Sequence, residues 1–171
     1  MMAEHVSIRR LRESDASYFT REEIAQGWHA DVQKYLRRLE DQRCGKAVCL
    51  VAEWNGEAAG YINVYPDAAQ GAFGGRGWPE IVDFGVLEKF RNRGIGTALM
   101  DAAEVVAAQY ADEVYLGVGL HSGYGAAQRM YVKRGYVPDG SGVWYRDRVC
   151  DQYAPCCNDD DLVLYLSKKL R

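Results

Sequence analysis

The sequence predicts an α/β fold built on a mixed sheet. Runs with strand-like alternation, such as Glu57 to Tyr65, intersperse with stretches of helical periodicity, such as Asp31 to Gln42. From Ile81 to Val118 a strand, a long helix and a strand follow one another, the order that gives parallel neighbours with a right-handed crossover. Asn55-Gly56 separates two strand-like runs as a two-residue hairpin turn, which adds an antiparallel pair. The 171 residues contain no internal repeat and no linker long enough to divide them, so residues 1–171 are expected to form one domain.

Each element has its own warrant. His5 to Leu11 alternates like an opening strand. Ser14 or Asp15 can cap the helix that follows, which carries Glu22-Glu23 further along. In the second helix Val32, Tyr35, Leu36 and Leu39 fall at i, i+3, i+4 and i+7, one apolar face, and leave Arg37-Arg38 and Glu40-Asp41 as a solvated face. Lys46 to Trp54 and Glu57 to Tyr65 are the hairpin strands. Pro66 to Pro79 is a loop with four glycines, and Ile81 to Val86 is a strand. Ile95 to Tyr110 is a helix rich in Ala, Leu and Val, Glu113 to Val118 a strand, and Gly125 to Arg134 a helix ended by Gly135. Val143 to Arg146 and Leu162 to Ser167 are late strands.

Composition excludes whole classes. Hydrophobic residues make up 48% and charged residues 26%, the balance of a globular chain and not of a disordered or collagen-like one. No apolar run approaches the ~20 residues of a bilayer span. Met1 to Val6 lacks the charged head and apolar stretch of a signal peptide, so a cytoplasmic protein is expected, with no membrane partner. Lys and Arg number 21 against 24 Asp and Glu, a net charge of −3, which argues against nucleic acid as a partner. Five cysteines without an export signal read as reduced thiols. Cys150-x5-Cys156-Cys157 matches no common zinc spacing, so no metal is expected.

The chemistry concentrates between Asp83 and Met100: a strand, a short basic loop, Gly94-x-Gly96, then a helix. Glycines let the backbone approach a ligand and take unusual dihedrals. Successive N–H groups in such a turn form an anion nest, and the helix that begins there adds its positive end. Arg91 and Arg93 add full charge and Thr97 a hydroxyl donor. The set suits a pyrophosphate. There is no Gly-x4-Gly-Lys-Ser/Thr, so a P-loop is excluded. A dinucleotide fingerprint would need a third glycine where Leu99 stands, and its glycines directly after the strand.

Arg91-x-x-Gly94-x-Gly96 after a strand resembles the acetyl-CoA signature of the GNAT superfamily of N-acetyltransferases. Ala127-Gln128-Arg129-Met130-Tyr131-Val132-Lys133-Arg134-Gly135-Tyr136 is similar to the family's second hallmark, an Ala-x-x-x-Tyr-x-x-x-Gly-Tyr/Phe run. The two lie about 30 residues apart, in the family's order and on the expected elements. The element order agrees from Val6 to Leu166. The resemblance implies the GNAT fold, acetyl-CoA as cosubstrate and transfer of its acetyl group to a primary amine by direct attack. It implies that the strand backbone at Phe84 to Val86 pairs with the pantetheine arm. The amides of Arg91, Asn92, Arg93, Gly94, Ile95, Gly96 and Thr97 would hold the pyrophosphate, and Tyr131 would protonate the leaving thiolate. A tyrosine, with an ordinary pKa of about 10, is neutral and able to donate at working pH. Where the family often has a cofactor-contacting asparagine this chain has Tyr124, and Tyr124, Ser122 or a backbone group can take the asparagine's place.

An arriving ammonium must lose a proton. Glu80 and Asp83 lie where the family often puts a carboxylate. Three apart on a strand, they point to opposite faces unless a bulge intervenes. Glu80 is preferred as the base, Asp83 better suits a structural role, and His121 ranks third. Gly71 to Gly77, with Phe73 and Trp78 beside it, reads either as a mobile lid on the acceptor site or as a flexible loop. Asn158 to Asp161 would give an acidic rim attractive to a cationic amine, either a small molecule or a peptide. The family's pairing through late strands leaves a homodimer open. A non-catalytic acyl-CoA sensor or interaction module is the alternative function, and another acyl-CoA the alternative donor.

Overall fold

The structure, a computed structural model, describes residues 5–171; Met1 to Glu4, part of the segment read as leaderless, lie outside the described residues. The chain forms two compact units, one made of the chain up to Tyr65 with Val82–Val106, the other of Pro66–Ile81 with Ala107–Arg171. No helix among the described residues is long and apolar enough to cross a membrane.

The first unit holds β1 (Val6–Arg10), α1 (Glu13–Ala25), α2 (Val32–Arg43), β2 (Val48–Trp54), β3 (Glu57–Tyr65) and most of β4 (Glu80–Val86). Its strand order is β1-β2-β3-β4, with β1–β2 and β2–β3 antiparallel. The β2–β3 turn is the expected one: Asn55 and Gly56 both take positive φ, 49° and 86°, as a tight hairpin with the strands' own twist requires. Val51, Ala52, Ala59, Ile62 and Val64 on these strands are fully buried. α3 (Ile95–Ala107) begins in this unit and ends three residues before the expected Tyr110.

The helix expectations need three corrections. The α1 N-cap is Arg12, and Asp15 sits at N3, where its Oδ2 accepts from Arg12 N at 2.7 Å and pairs with Arg9 Nη1 at 2.7 Å. Ser14 takes no capping role. In α2, which Asp31 caps through Gln33 N, Tyr35 and Leu39 are buried but Leu36 is 39% exposed. Nor is the charged face solvated throughout: Arg38 Nη1 donates to Tyr65 Oη at 2.6 Å, and Tyr65 donates to Asp41 Oδ2 at 2.6 Å. Tyr65 on β3 draws these side chains inward.

The second unit holds the start of β4, β5 (Glu113–Gly119), α4 (Gly125–Lys133), β6 (Val137–Tyr145), β7 (Arg148–Val149) and β8 (Leu162–Lys169). The strand order is β4-β5-β8-β6-β7. Glu80 and Ile81 pair with Tyr115 and Leu116 in parallel, the outcome expected of a strand–helix–strand unit, while β5–β8, β6–β8 and β6–β7 are antiparallel. The sheet is therefore mixed. β6 starts six residues before the expected Val143, and its register against β8 shifts between Pro138 and Val143. Gly140 and Gly142, at φ 85° and 81°, lie in that irregular stretch, which hides it from period-two reading.

The glycine-rich loop is no loose lid. Phe73 is buried, stacks on Trp78 at 5.1 Å and packs on Tyr115 at 5.2 Å, in a cluster with Ala68 and Tyr165. Gly71 N donates to Asp147 Oδ1 at 3.1 Å. A Cβ on Gly71 would stand 2.6 Å from the Tyr165 ring, so this glycine serves close packing. Aromatic burial outweighs the freedom that four glycines suggest.

Candidate functional site

The basic loop is built as its sequence dictates. β4 ends at Val86, a 3₁₀ turn covers Glu88–Phe90, and buried Phe90 and Leu87 anchor it. Gln26 Oε1 accepts from Glu88 N at 3.0 Å and Ala59 O from Leu87 N at 2.9 Å, which fixes the loop's entry. Asn92 and Gly94 then take left-handed φ, 61° and 75°. The first bond of α3 runs from Ala98 N to Gly94 O at 3.0 Å, so the amides of Ile95, Gly96 and Thr97 precede the helical ladder and point out of its end. Arg91 to Gly94 are exposed, while the Ile95 side chain is buried, which leaves only its amide open to a ligand. The guanidinium of Arg91 lies 5.6 Å from the Trp28 ring centre, and that of Arg93 lies 5.1 Å from Trp54. Stacking orients both charges. Exposed amides at a helix N-terminus beside two oriented arginines fit a diphosphate.

β4 carries a kink ahead of this loop. Asp83 takes φ 56°, left-handed for a non-glycine inside a strand. The alternation of exposure fails across Val82, Asp83 and Phe84, and buried Asn63 donates Nδ2 to the Val82 and Asp83 carbonyls at 3.1 and 3.3 Å. This is the interruption on which the facing of Glu80 and Asp83 depends. Close backbone approach marks the next residues: a Cβ on Gly60 would stand 2.6 Å from Gly85 O, and one on Gly85 2.8 Å from Tyr61 Oη.

Around Asp83 lies a cluster that sequence reasoning missed. Lys34 Nζ donates to Tyr61 Oη at 3.1 Å and pairs with Asp83 Oδ1 at 3.4 Å and Glu23 Oε2 at 3.8 Å. It also stands 4.6 and 4.9 Å from the ring centres of Tyr35 and Tyr61. Tyr61 donates to Glu23 Oε1 at 2.5 Å, and Arg38 Nε lies 3.8 Å from Asp83 Oδ2. Glu23 is 1% exposed and Tyr61 5%. Burial, then the charge of Asp83, pushes Tyr61 well above its ordinary pKa, so it acts here as a donor. One signal was available: Ala16, Phe19 and Glu23 fall on a single helical stripe, so Glu23 interrupts an apolar face.

Of the remaining predicted residues, Glu80, His121, Tyr124 and Tyr131 belong to the second unit, and Phe84 and Val86 to the first. Tyr131 on α4 is 6% exposed, its ring 5.8 Å from Tyr136. Burial raises its pKa, which keeps the phenol protonated. Gly135, at φ 89°, ends α4, and Tyr136 N returns to Tyr131 O at 3.0 Å, a glycine C-cap. Glu80 Oε2 accepts from Tyr115 Oη at 3.4 Å, and that phenol also donates to Gln70 O at 2.8 Å. Tyr124 donates to Asp160 Oδ1 at 2.9 Å and its ring lies 4.5 Å from His121, which reaches Asp160 Oδ1 through Nε2 at 3.0 Å. Asp161 pairs with Arg146 at 3.8 Å. The acidic run is thus partly spent on internal contacts. Phe84 and Val86 are half-buried on β4.

Comparison with known proteins bears on the family and the fold. The family model "Acetyltransferase (GNAT) family" matches residues 8–136. Comparison with curated protein sequences gives no match. Among solved structures, yncA of Salmonella typhimurium, solved with its cofactor acetyl-CoA, superposes with a TM-score of 0.69 at 16% identity, covering 98% of this chain and 95% of that one. An N-acetyltransferase of Staphylococcus aureus Mu50 gives 0.70 at 14% identity over 98% and 99%. The ribosomal-protein-alanine N-acetyltransferase of Brucella melitensis gives 0.68 at 18% over 95% and 99%. At such identities the likeness is one of fold.

Proposed function

The chain belongs to the acetyltransferase (GNAT) family, and from that premise we propose that it moves the acetyl group of acetyl-CoA to a primary amine by direct attack. The observation that carries this is the loop from Arg91 to Thr97, with its outward amides, its glycine at φ 75° and its two stacked arginines. These residues bind the pyrophosphate, and the β4 backbone from Phe84 to Val86 takes the pantetheine arm. The donor supplies a thioester whose carbonyl carbon the amine attacks. A C–N bond forms, the C–S bond breaks, and the sulfur leaves with the electron pair. Tyr131 protonates the thiolate; its phenol is neutral and so carries the proton that the step needs. The amine's proton goes to a carboxylate of β4. Glu80 and Asp83 are the two carboxylates available: Asp83 stands in a cluster that holds an ammonium and is paired with Lys34 and Arg38, and Glu80 accepts from Tyr115. Tyr124 stands at the sequence position of the family's cofactor-contacting asparagine, which supports it as a cofactor-binding residue.

The acceptor is a small amine or a peptide amine; the Brucella melitensis neighbour, by its description a ribosomal-protein-alanine N-acetyltransferase, supports the second. The test is turnover with a panel of amines and acetyl-, propionyl- and succinyl-CoA, read as CoA formed by chromatography. Tyr131→Phe should lower turnover by about 10²–10⁴-fold while leaving acetyl-CoA affinity unchanged. Tight acetyl-CoA binding with no turnover on any amine would overturn the enzymatic reading in favour of a sensor.

A further inference from the structure

The kink in β4 already holds a primary amine. Lys34 Nζ sits among two tyrosine faces, a phenol oxygen and two carboxylates, within 3.1 to 4.9 Å of each. Ring faces and carboxylates together are what an alkylammonium ligand selects. The cage adjoins β4 at two successive points. Asp83 contacts the ammonium directly, and the Tyr61 phenol that accepts from it lies against Gly85, where a Cβ would come within 2.8 Å of Tyr61 Oη. Lys34 retains 26% side-chain exposure, so the amine is held and still accessible. Lys89, a second lysine in an ion-pair setting, reaches Glu57 and Glu22.

We propose that Lys34 is itself an acceptor: the protein acetylates Lys34 Nζ from its own bound acetyl-CoA. This rests on the functional reading above. Holding the amine beside the strand turns a bimolecular step into an intramolecular one. One ammonium proton passes to the Asp83 carboxylate and on to solvent. The nitrogen lone pair forms a bond to the acetyl carbon, the C–S bond breaks, and the thiolate takes a proton in exchange for the second one that the nitrogen sheds. The products are Nε-acetyl-Lys34 and free CoA. The modification removes the positive charge between Glu23 and Asp83 and makes the chain one charge more acidic.

The experiment is incubation of the purified full chain with acetyl-CoA and no added amine, followed by intact mass and peptide mapping. A single acetyl on Lys34 is expected, formed at a rate per molecule that does not change on serial dilution of the protein and is suppressed by excess CoA. Lys34→Arg should lose that adduct and retain acetyl-CoA binding; should that variant fail to fold, the wild-type map alone decides. Acetyl-CoA binding with Lys34 unmodified would overturn self-acetylation and leave the functional reading standing. So would adducts scattered over Lys46, Lys133 and other surface lysines. Absence of acetyl-CoA binding would sink the functional reading, and this inference with it.

Discussion

Gly60→Ala probes how closely β3 approaches the strand assigned to the cofactor arm. The new methyl would stand 2.6 Å from Gly85 O, 3.1 Å from Leu99 Cδ1 and 3.2 Å from Val86 Cγ2. Ordinary carbon-to-carbonyl contacts lie at about 3.3 Å or more, so backbone must move by about 0.7 Å. Leu99 is fully buried and cannot swing aside. Overpacking of this kind costs about 1–3 kcal/mol, offset by about 0.4–1 kcal/mol from the less flexible unfolded chain. The net loss is about 1–2 kcal/mol, which for a chain of this length lowers Tm by about 2–8 °C. Thermal unfolding followed by circular dichroism reads it, with Gly125→Ala as control. Gly125 opens α4 at φ −56° with nothing within 4 Å of a Cβ, so its substitution should leave Tm unchanged or raised. A Gly60→Ala protein as stable as wild type would refute the close approach of β3 to Gly85.

Further outcomes follow from the same geometry. Asp15→Ala removes a buried carboxylate that caps α1 and pairs with Arg9, and should cost about 3 kcal/mol in urea unfolding; a loss below ~1 kcal/mol would return the pair to the surface class. Phe73→Ala should destabilise by about 3 kcal/mol because the loop is pinned, whereas a mobile lid would leave the urea midpoint unmoved. Stability should fall as pH rises above about 10. Burial lifts Tyr65 and Tyr165 to about 12, so the unfolded chain ionises first; the contribution is whole below pH 10 and gone above 12. A urea midpoint that stays flat between those values would contradict that burial.

How far the fold could be read depended on local signals. The hairpin at Asn55-Gly56, the strand–helix–strand unit and the glycine stop after α4 follow from turn chemistry and periodicity, which act over a few residues. The loop proposed to hold the pyrophosphate is recognisable for the same reason, since its amides, arginines and glycines are contiguous. The ammonium cage was not. Glu23, Lys34, Tyr61 and Asp83 come from four elements, and only the register of β3 and β4 with α1 and α2 joins them. The kink at Asp83 was equally hidden, because nothing in Ile81 to Val86 announces a left-handed residue; Asn63, which holds the carbonyls on either side, lies on another strand. Arg38 left its expected solvated face because Tyr65 of β3 offers the cation a partner.

The central claim is that Arg91 to Thr97 bind a pyrophosphate. Isothermal titration with acetyl-CoA, dephospho-CoA and pantetheine tests it most directly. Acetyl-CoA and dephospho-CoA, which both carry the pyrophosphate, should bind with similar affinity, and pantetheine should not bind. Pantetheine binding as tightly as acetyl-CoA, or no binding by any of the three, would contradict it and leave Gly94 and Gly96 as packing devices.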